Sequence, residues 1–158
     1  MKQNTPVNYM QLSRDYYAAH GYSKPYQWAR FDAIPLTPLK KPLAESTVTI
    51  VTTSMPDASY AKNKRRFYIG DLANPPQRLF NDDLFWDKNA THTDDRNSYF
   101  PVEELARCVE AGKVGRLAQH FYGVSTDYSH RRTMTRAAPA VLESCQQNGV
   151  DVALLVPL

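Results

Sequence analysis

Thr47-Val48-Thr49-Ile50-Val51-Thr52-Thr53 is a β-branched run bounded by Ser46 and Ser54. Branching at Cβ stiffens a side chain and suits it to a pleated, packed surface, so the run reads as the first strand of the fold. It does not alternate apolar with polar residues. A strand of that kind is at home in the middle of a parallel sheet, buried on both faces.

Working outward from this strand gives an ordered series. Upstream, residues 1 to 46 carry a short helix over Leu12–His20, stopped by Gly21. Pro25, Pro35, Pro38 and Pro42 then fall among Tyr22, Tyr26, Trp28 and Phe31, which predicts an extended arm, since proline blocks both helix and central strand. Downstream, Lys62, Lys64, Arg65 and Arg66 form a basic turn before a short strand over Arg66–Ile69. A polar loop, Thr91-His92-Thr93-Asp94-Asp95-Arg96-Asn97, leads into a helix over Pro101–Ala111. Pro101 suits its first turn, Glu103 and Glu104 suit its positive end, and Gly112 stops it. A strand over Val114–Val124, a helix over Thr135–Asn148 ended by Gly149, and a last strand over Val150–Val156 complete the series. Strand, helix, strand, helix, strand is an α/β pattern. The expected fold is therefore a three-layer α/β structure, a mostly parallel sheet with flanking helices, ending on a strand. The expected division is a Pro/aromatic-rich arm over 1–46 and an α/β domain over 47–158.

Composition narrows the function. The 158 residues carry 19 Lys+Arg against 16 Asp+Glu, mixed along the chain, which does not call for a nucleic-acid partner. No window approaches a membrane-spanning length of apolar residues, and the N-terminus lacks the apolar core of a secretory signal, so a cytoplasmic protein without a membrane partner is expected. Six glycines against 11 prolines leave no Gly-rich phosphate loop. Cys108 and Cys145 make no Cys-x-x-Cys and read as buried, reduced thiols. No metal site is expected.

In open α/β sheets ligands bind beyond the carboxyl ends of the strands. That directs attention to the segments after Thr53, Val124 and Val156. The His92 loop is the densest polar cluster. His92 with Asp94 or Asp95 could form an acid/base pair or part of a metal site, though three ligands in one loop define no metal geometry, or the loop could simply cap and position the following helix. His120 and Tyr122 share one face of their strand, where a hydrogen-bonded core histidine is the ordinary role for His120.

The ordered set of motifs resembles a known family. It comprises Val48-Thr49-Ile50-Val51-Thr52-Thr53, Lys64-Arg65-Arg66-Phe67, the His92 loop, Asp95-Arg96-Asn97-Ser98-Tyr99-Phe100-Pro101-Val102-Glu103-Glu104-Leu105, Glu110-Ala111-Gly112-Lys113-Val114-Gly115, His120-Phe121-Tyr122-Gly123 and Gly149-Val150-Asp151-Val152-Ala153-Leu154-Leu155. Together, over roughly residues 42 to 158, these resemble the selenoprotein B family of glycine, sarcosine, betaine and D-proline reductases. The resemblance implies reductive cleavage of a carbon–nitrogen bond in a small amino-acid-like substrate. It implies a redox centre, selenocysteine-x-x-cysteine or Cys-x-x-Cys, directly after the strand matching Val150–Leu158, where this sequence stops. A selenocysteine codon read as a stop would end a chain there, so the α/β domain is expected to be incomplete at its C-terminus. Other reductase subunits are implied as partners, one of them supplying a pyruvoyl group, and a homo-oligomer is left open. This chain would carry no cofactor of its own. The resemblance further implies that His92, Asp95 and Asn97 shape the pocket beside the redox centre, with Tyr122 and Ser125 lining it from the adjacent strand. The competing reading is a non-catalytic α/β module that binds a small ligand or assembles subunits.

Overall fold

The computed structural model describes residues 8–25, 27, 30–34, 37–56, 67–80, 94–124 and 129–157. The chain divides into two compact units, Met1–Leu36 and Thr37–Leu158.

In the first unit, helix α1 (Tyr9–Ala19) starts at Asn8, whose side chain accepts the N–H of Gln11 at 3.3 Å. That bond satisfies one of the free donors of the first turn. The helix closes at His20, whose Nδ1 lies 2.8 Å from the Tyr16 carbonyl oxygen. Gly21 follows at a φ of 82°, the left-handed stop expected from the sequence.

The second unit is a five-stranded mixed sheet with helices. Strand β1 (Thr47–Thr52) occupies its centre. β5 (Val152–Val156) lies along one edge of β1, parallel and in register from Val48 opposite Val152 to Thr52 opposite Val156. On the other edge two short strands share the work: β3 (Arg116–Leu117) pairs with the start of β1, and β4 (His120–Val124) with its end, both parallel. β2 (Phe67–Asp71) closes the far side, antiparallel to β4. The continuous strand expected over Val114–Val124 is thus divided at Ala118–Gln119. There the backbone switches partners: Ala118 donates to the Val48 carbonyl, while the Gln119 carbonyl accepts from Leu72.

The two faces of β1 pack differently, as alternation along a strand requires. Ile50 joins Phe100, Val102 and Phe121 in the main core, with Leu105 packed against it. Val102 and Leu105 belong to α2 (Val102–Glu110), so this face is covered by α2 and the turn before it. Tyr122 points to the opposite face, where its hydroxyl bonds Ser144 of helix α4 (Ala138–Gln147) at 3.1 Å. Three layers follow. The threonines of β1 are accommodated because their hydroxyls are satisfied: Thr49 Oγ1 donates to the His120 carbonyl at 2.6 Å and Thr52 Oγ1 to the Tyr99 carbonyl at 3.3 Å.

The last helix begins earlier than periodicity suggests. One α-helical turn, α3 (His130–Arg132), passes through a π-helical stretch (Thr133–Ala137) into α4. Pro139 explains the irregularity. It has no N–H to donate and its ring crowds the preceding turn, so the chain widens there. Gly112 and Gly149, at φ of 68° and 61°, end α2 and α4. On α4, Cys145 is buried but Leu142 is 59% exposed.

Residues 41–46 are tied to the sheet. Gly115 donates to the Leu43 carbonyl at 3.0 Å, and Lys41 Nζ meets Asp151 Oδ2 at 2.8 Å. The same carboxylate accepts the Thr47 N–H at 2.8 Å. Asp151 therefore clamps the entrances of β1 and β5 together. The Lys41 ammonium, with help from the Thr47 N–H, holds its carboxyl below the usual aspartate range.

Candidate functional site

The carboxyl ends of β1, β4 and β5 reach the same edge of the sheet, because all three run parallel. Just beyond β1, Ser54 is fully buried and its Oγ has no hydrogen-bond partner among the described residues. A buried hydroxyl without a partner carries a desolvation cost, which an acceptor at this edge would relieve. Gly123 packs so close to it that an added Cβ would lie 2.8 Å from the Ser54 carbonyl oxygen.

The turn Arg96–Ser98 is held against this edge from the α2 side. Asp95 caps it, its carboxylate accepting the Asn97 N–H at 3.0 Å, and Ser98 Oγ donates to the Asp95 carbonyl at 2.7 Å. Arg96 reaches from the turn to the Pro76 carbonyl at 2.7 Å and ion-pairs with Glu103 of α2. Tyr99, next in sequence, accepts from Thr52 at the end of β1. Asn97 Oδ1 is buried and has no partner among the described residues.

Asp95 and Asn97 thus come together in one capped turn, tied to α2 and to the end of β1. Tyr122 does not join them. Its ring is buried on the opposite face, stacked 5.8 Å from Phe67, and its hydroxyl is engaged by Ser144. Burial pushes the Tyr122 phenol up, with the Ser144 bond opposing the shift, and burial likewise pushes up the neighbouring Cys145 thiol. A thiol so placed is protonated and packed, which suits a structural rather than a reactive role. His92 and Ser125 lie outside the described residues, as does the basic turn Lys62, Lys64, Arg65 and Arg66. His120 is half-buried and its Nδ1 has no partner among the described residues, unlike the hydrogen-bonded histidine expected at that position.

Among the described residues, this unit also carries a groove and a cavity elsewhere. An apolar groove of about 420 Å³ runs between α4 and β5, lined by Val141, Leu142, Cys145, Ala153 and Leu155 among others. A cavity of about 550 Å³, lined by charged and apolar residues together, opens at the other end of the sheet, where Thr47 and Arg116 begin their strands. Sequence reasoning missed this cavity. Its charged residues stand at positions 71 and 116, with no local motif joining them. Among the described residues, no cluster of three or more His, Cys, Asp or Glu side chains could hold a metal ion, and no helix is long and apolar enough to cross a membrane.

No protein-family model, curated protein or solved structure matches the chain.

Proposed function

We propose that this chain is a component of an oxidoreductase of the glycine, sarcosine, betaine and D-proline reductase type, acting on a small amino-acid-like substrate. In such an enzyme two electrons from a dithiol donor cleave a carbon–nitrogen bond, and the donor finishes as a disulfide. The redox pair, selenocysteine-x-x-cysteine or Cys-x-x-Cys, would follow residue 158. Companion subunits, one with a pyruvoyl group, would complete the assembly.

The observation that carries this reading is the pairing of Val156 with Thr52. It brings the chain leaving β5 alongside the segment leaving β1, where Ser54 keeps a buried hydroxyl with no partner among the described residues. A thiolate or selenolate accepts hydrogen bonds, so an O–H donor at that edge suits it. Asp95 and Asn97 stand in the turn tied to Thr52 through Tyr99 and would border the same pocket.

The reading frame beyond codon 158 tests the proposal. An in-frame TGA followed by two codons and then Cys is expected. A different stop with no downstream Cys refutes the reductase assignment. The 158-residue chain itself should show no dithiol-dependent reductase activity; such activity surviving replacement of both Cys108 and Cys145 would also count against it.

One observation favours a second reading, a subunit-assembly module. The groove between α4 and β5 is apolar, and Leu142 and Leu155 at its rim are 59% and 70% exposed. Sedimentation at increasing concentration separates the two: an assembly module self-associates or captures a companion subunit without any redox motif.

A further inference from the structure

The cavity at the amino end of the parallel strands is independent of the proposed reductase site, which lies at the opposite edge. Its walls carry one charge of each sign. Arg116 is anchored by Nε, which donates to Thr47 Oγ1 at 2.9 Å. The rest of its guanidinium fork has no partner among the described residues, and the side chain lines the cavity. Asp71 lines the same cavity, its carboxylate accepting the Ala73 N–H at 2.9 Å and nothing else described. Two amides, Gln119 and Asn148, complete the polar wall. Asn148 is the last residue of the turn closing α4, so the carbonyl end of that helix stands at this wall and favours a cation there.

A guanidinium fork selects a planar carboxylate, and a free carboxylate selects an ammonium. A doubly charged anion would be repelled by Asp71 and a simple cation by Arg116. The complementary ligand therefore carries both charges. The strands set how far apart they stand. Asp71 is paired opposite His120, four residues along the β3–β4 row from Arg116. Four residues span at most about 13–14 Å when fully extended, and the break at Ala118–Gln119 shortens that. Two peptide-linked residues span roughly 6–7 Å. Their central amide also matches the donor and acceptor of Gln119 and the Oδ1 of Asn148, whose Nδ2 donates to the Ser144 carbonyl at 2.7 Å.

We propose that this cavity binds a short zwitterionic peptide, of dipeptide size, with its carboxylate on Arg116 and its amine toward Asp71. A volume of about 550 Å³ is that of an ordinary small-ligand site.

Titration calorimetry of the 158-residue chain with glycylglycine tests this, against N-acetyl-glycylglycine, glycylglycine amide and glycine. Glycylglycine binds, and blocking either end weakens binding at least tenfold. Asp71→Asn removes the preference for a free amine and Arg116→Gln the preference for a free carboxylate. Ser54→Ala, at the far edge, leaves the affinity unchanged. Absence of glycylglycine binding, equal binding of the blocked peptides, or glycine binding as tightly as the dipeptide each overturns the proposal. The blocked ligands probe both charges on the unaltered protein, so the result stands even if a variant fails to fold.

Discussion

Gly115 offers the sharpest test of how the sheet is assembled. A Cβ built there would lie 2.6 Å from the Glu45 carbonyl carbon and 2.8 Å from the Ser46 N and O. All three are backbone atoms, so no side-chain rotation relieves the contact. Ordinary contact begins at 3.4 Å, so Gly115→Ala requires the segments to separate by 3.4 − 2.6 = 0.8 Å. The bonds joining them, Gly115 N–H to Leu43 O at 3.0 Å and Arg116 N–H to Ser46 O at 3.1 Å, would then stretch beyond hydrogen-bond range. Overpacking costs about 1–3 kcal/mol. Each lost hydrogen bond adds about 0.5–1.5 kcal/mol. The stiffer unfolded chain returns about 0.4–1 kcal/mol. The net loss is on the order of 1–6 kcal/mol, centred on about 3, which is a fall in Tm of about 10 °C for a domain of this size. Gly112→Ala is the matched control. Nothing lies within 4 Å of its added Cβ, and only its φ of 68° is unfavourable. That penalty is about 1–2 kcal/mol. Urea and thermal unfolding followed by circular dichroism measure both. If Gly115→Ala melts within a degree or two of the wild type, or above Gly112→Ala, the close approach of these segments is not as described.

Phe121→Ala removes a fully buried ring 4.5 Å from Phe100 and should cost about 3–5 kcal/mol in urea unfolding. Asp151 titrates below its ordinary value, so its clamp stabilises the fold above the unfolded aspartate pKa and loses that contribution as pH falls through the lowered folded value. Asp151→Asn should flatten the acid limb of a Tm-against-pH curve, and an unchanged limb refutes the clamp. Iodoacetamide at neutral pH should label the half-buried Cys108 before the buried Cys145, whose thiol burial holds protonated. Equal labelling rates by mass spectrometry would contradict the packing of α4.

Much of the fold is legible because its signals are local. The β-branched run became the central strand, and Gly112 and Gly149 stopped their helices where expected. The division of the third strand row was not legible, since Ala118 and Gln119 carry no turn signal; Val48 and Leu72 impose the break from a distance. The early helix start was hidden as well. The capping residue, Ser129, whose hydroxyl accepts the Arg132 N–H, lies six residues before the expected start. The candidate site was legible in part. Asp95 and Asn97 are neighbours in sequence, and their turn follows from that. Tyr122 looked like a companion because it ends a neighbouring strand, but strand parity sends its ring to the α4 face. Parity is fixed by pairing with β1, which the sequence does not print. The Asp71 and Arg116 cavity depends wholly on which strands adjoin.

The pairing of β1 with β5 also governs the order of assembly. Thr47 and Asp151 are 104 positions apart, yet they exchange the bonds that join the two strands. During synthesis β1 emerges early and waits with one edge bare until β5 arrives. Contacts of such separation are slow to form. Through that interval the nascent chain presents a β-branched edge strand, the kind of surface that recruits other strands. A chain interrupted before residue 152 keeps that edge of β1 unpaired, so the arrival of β5 covers a surface that could otherwise pair with a neighbour.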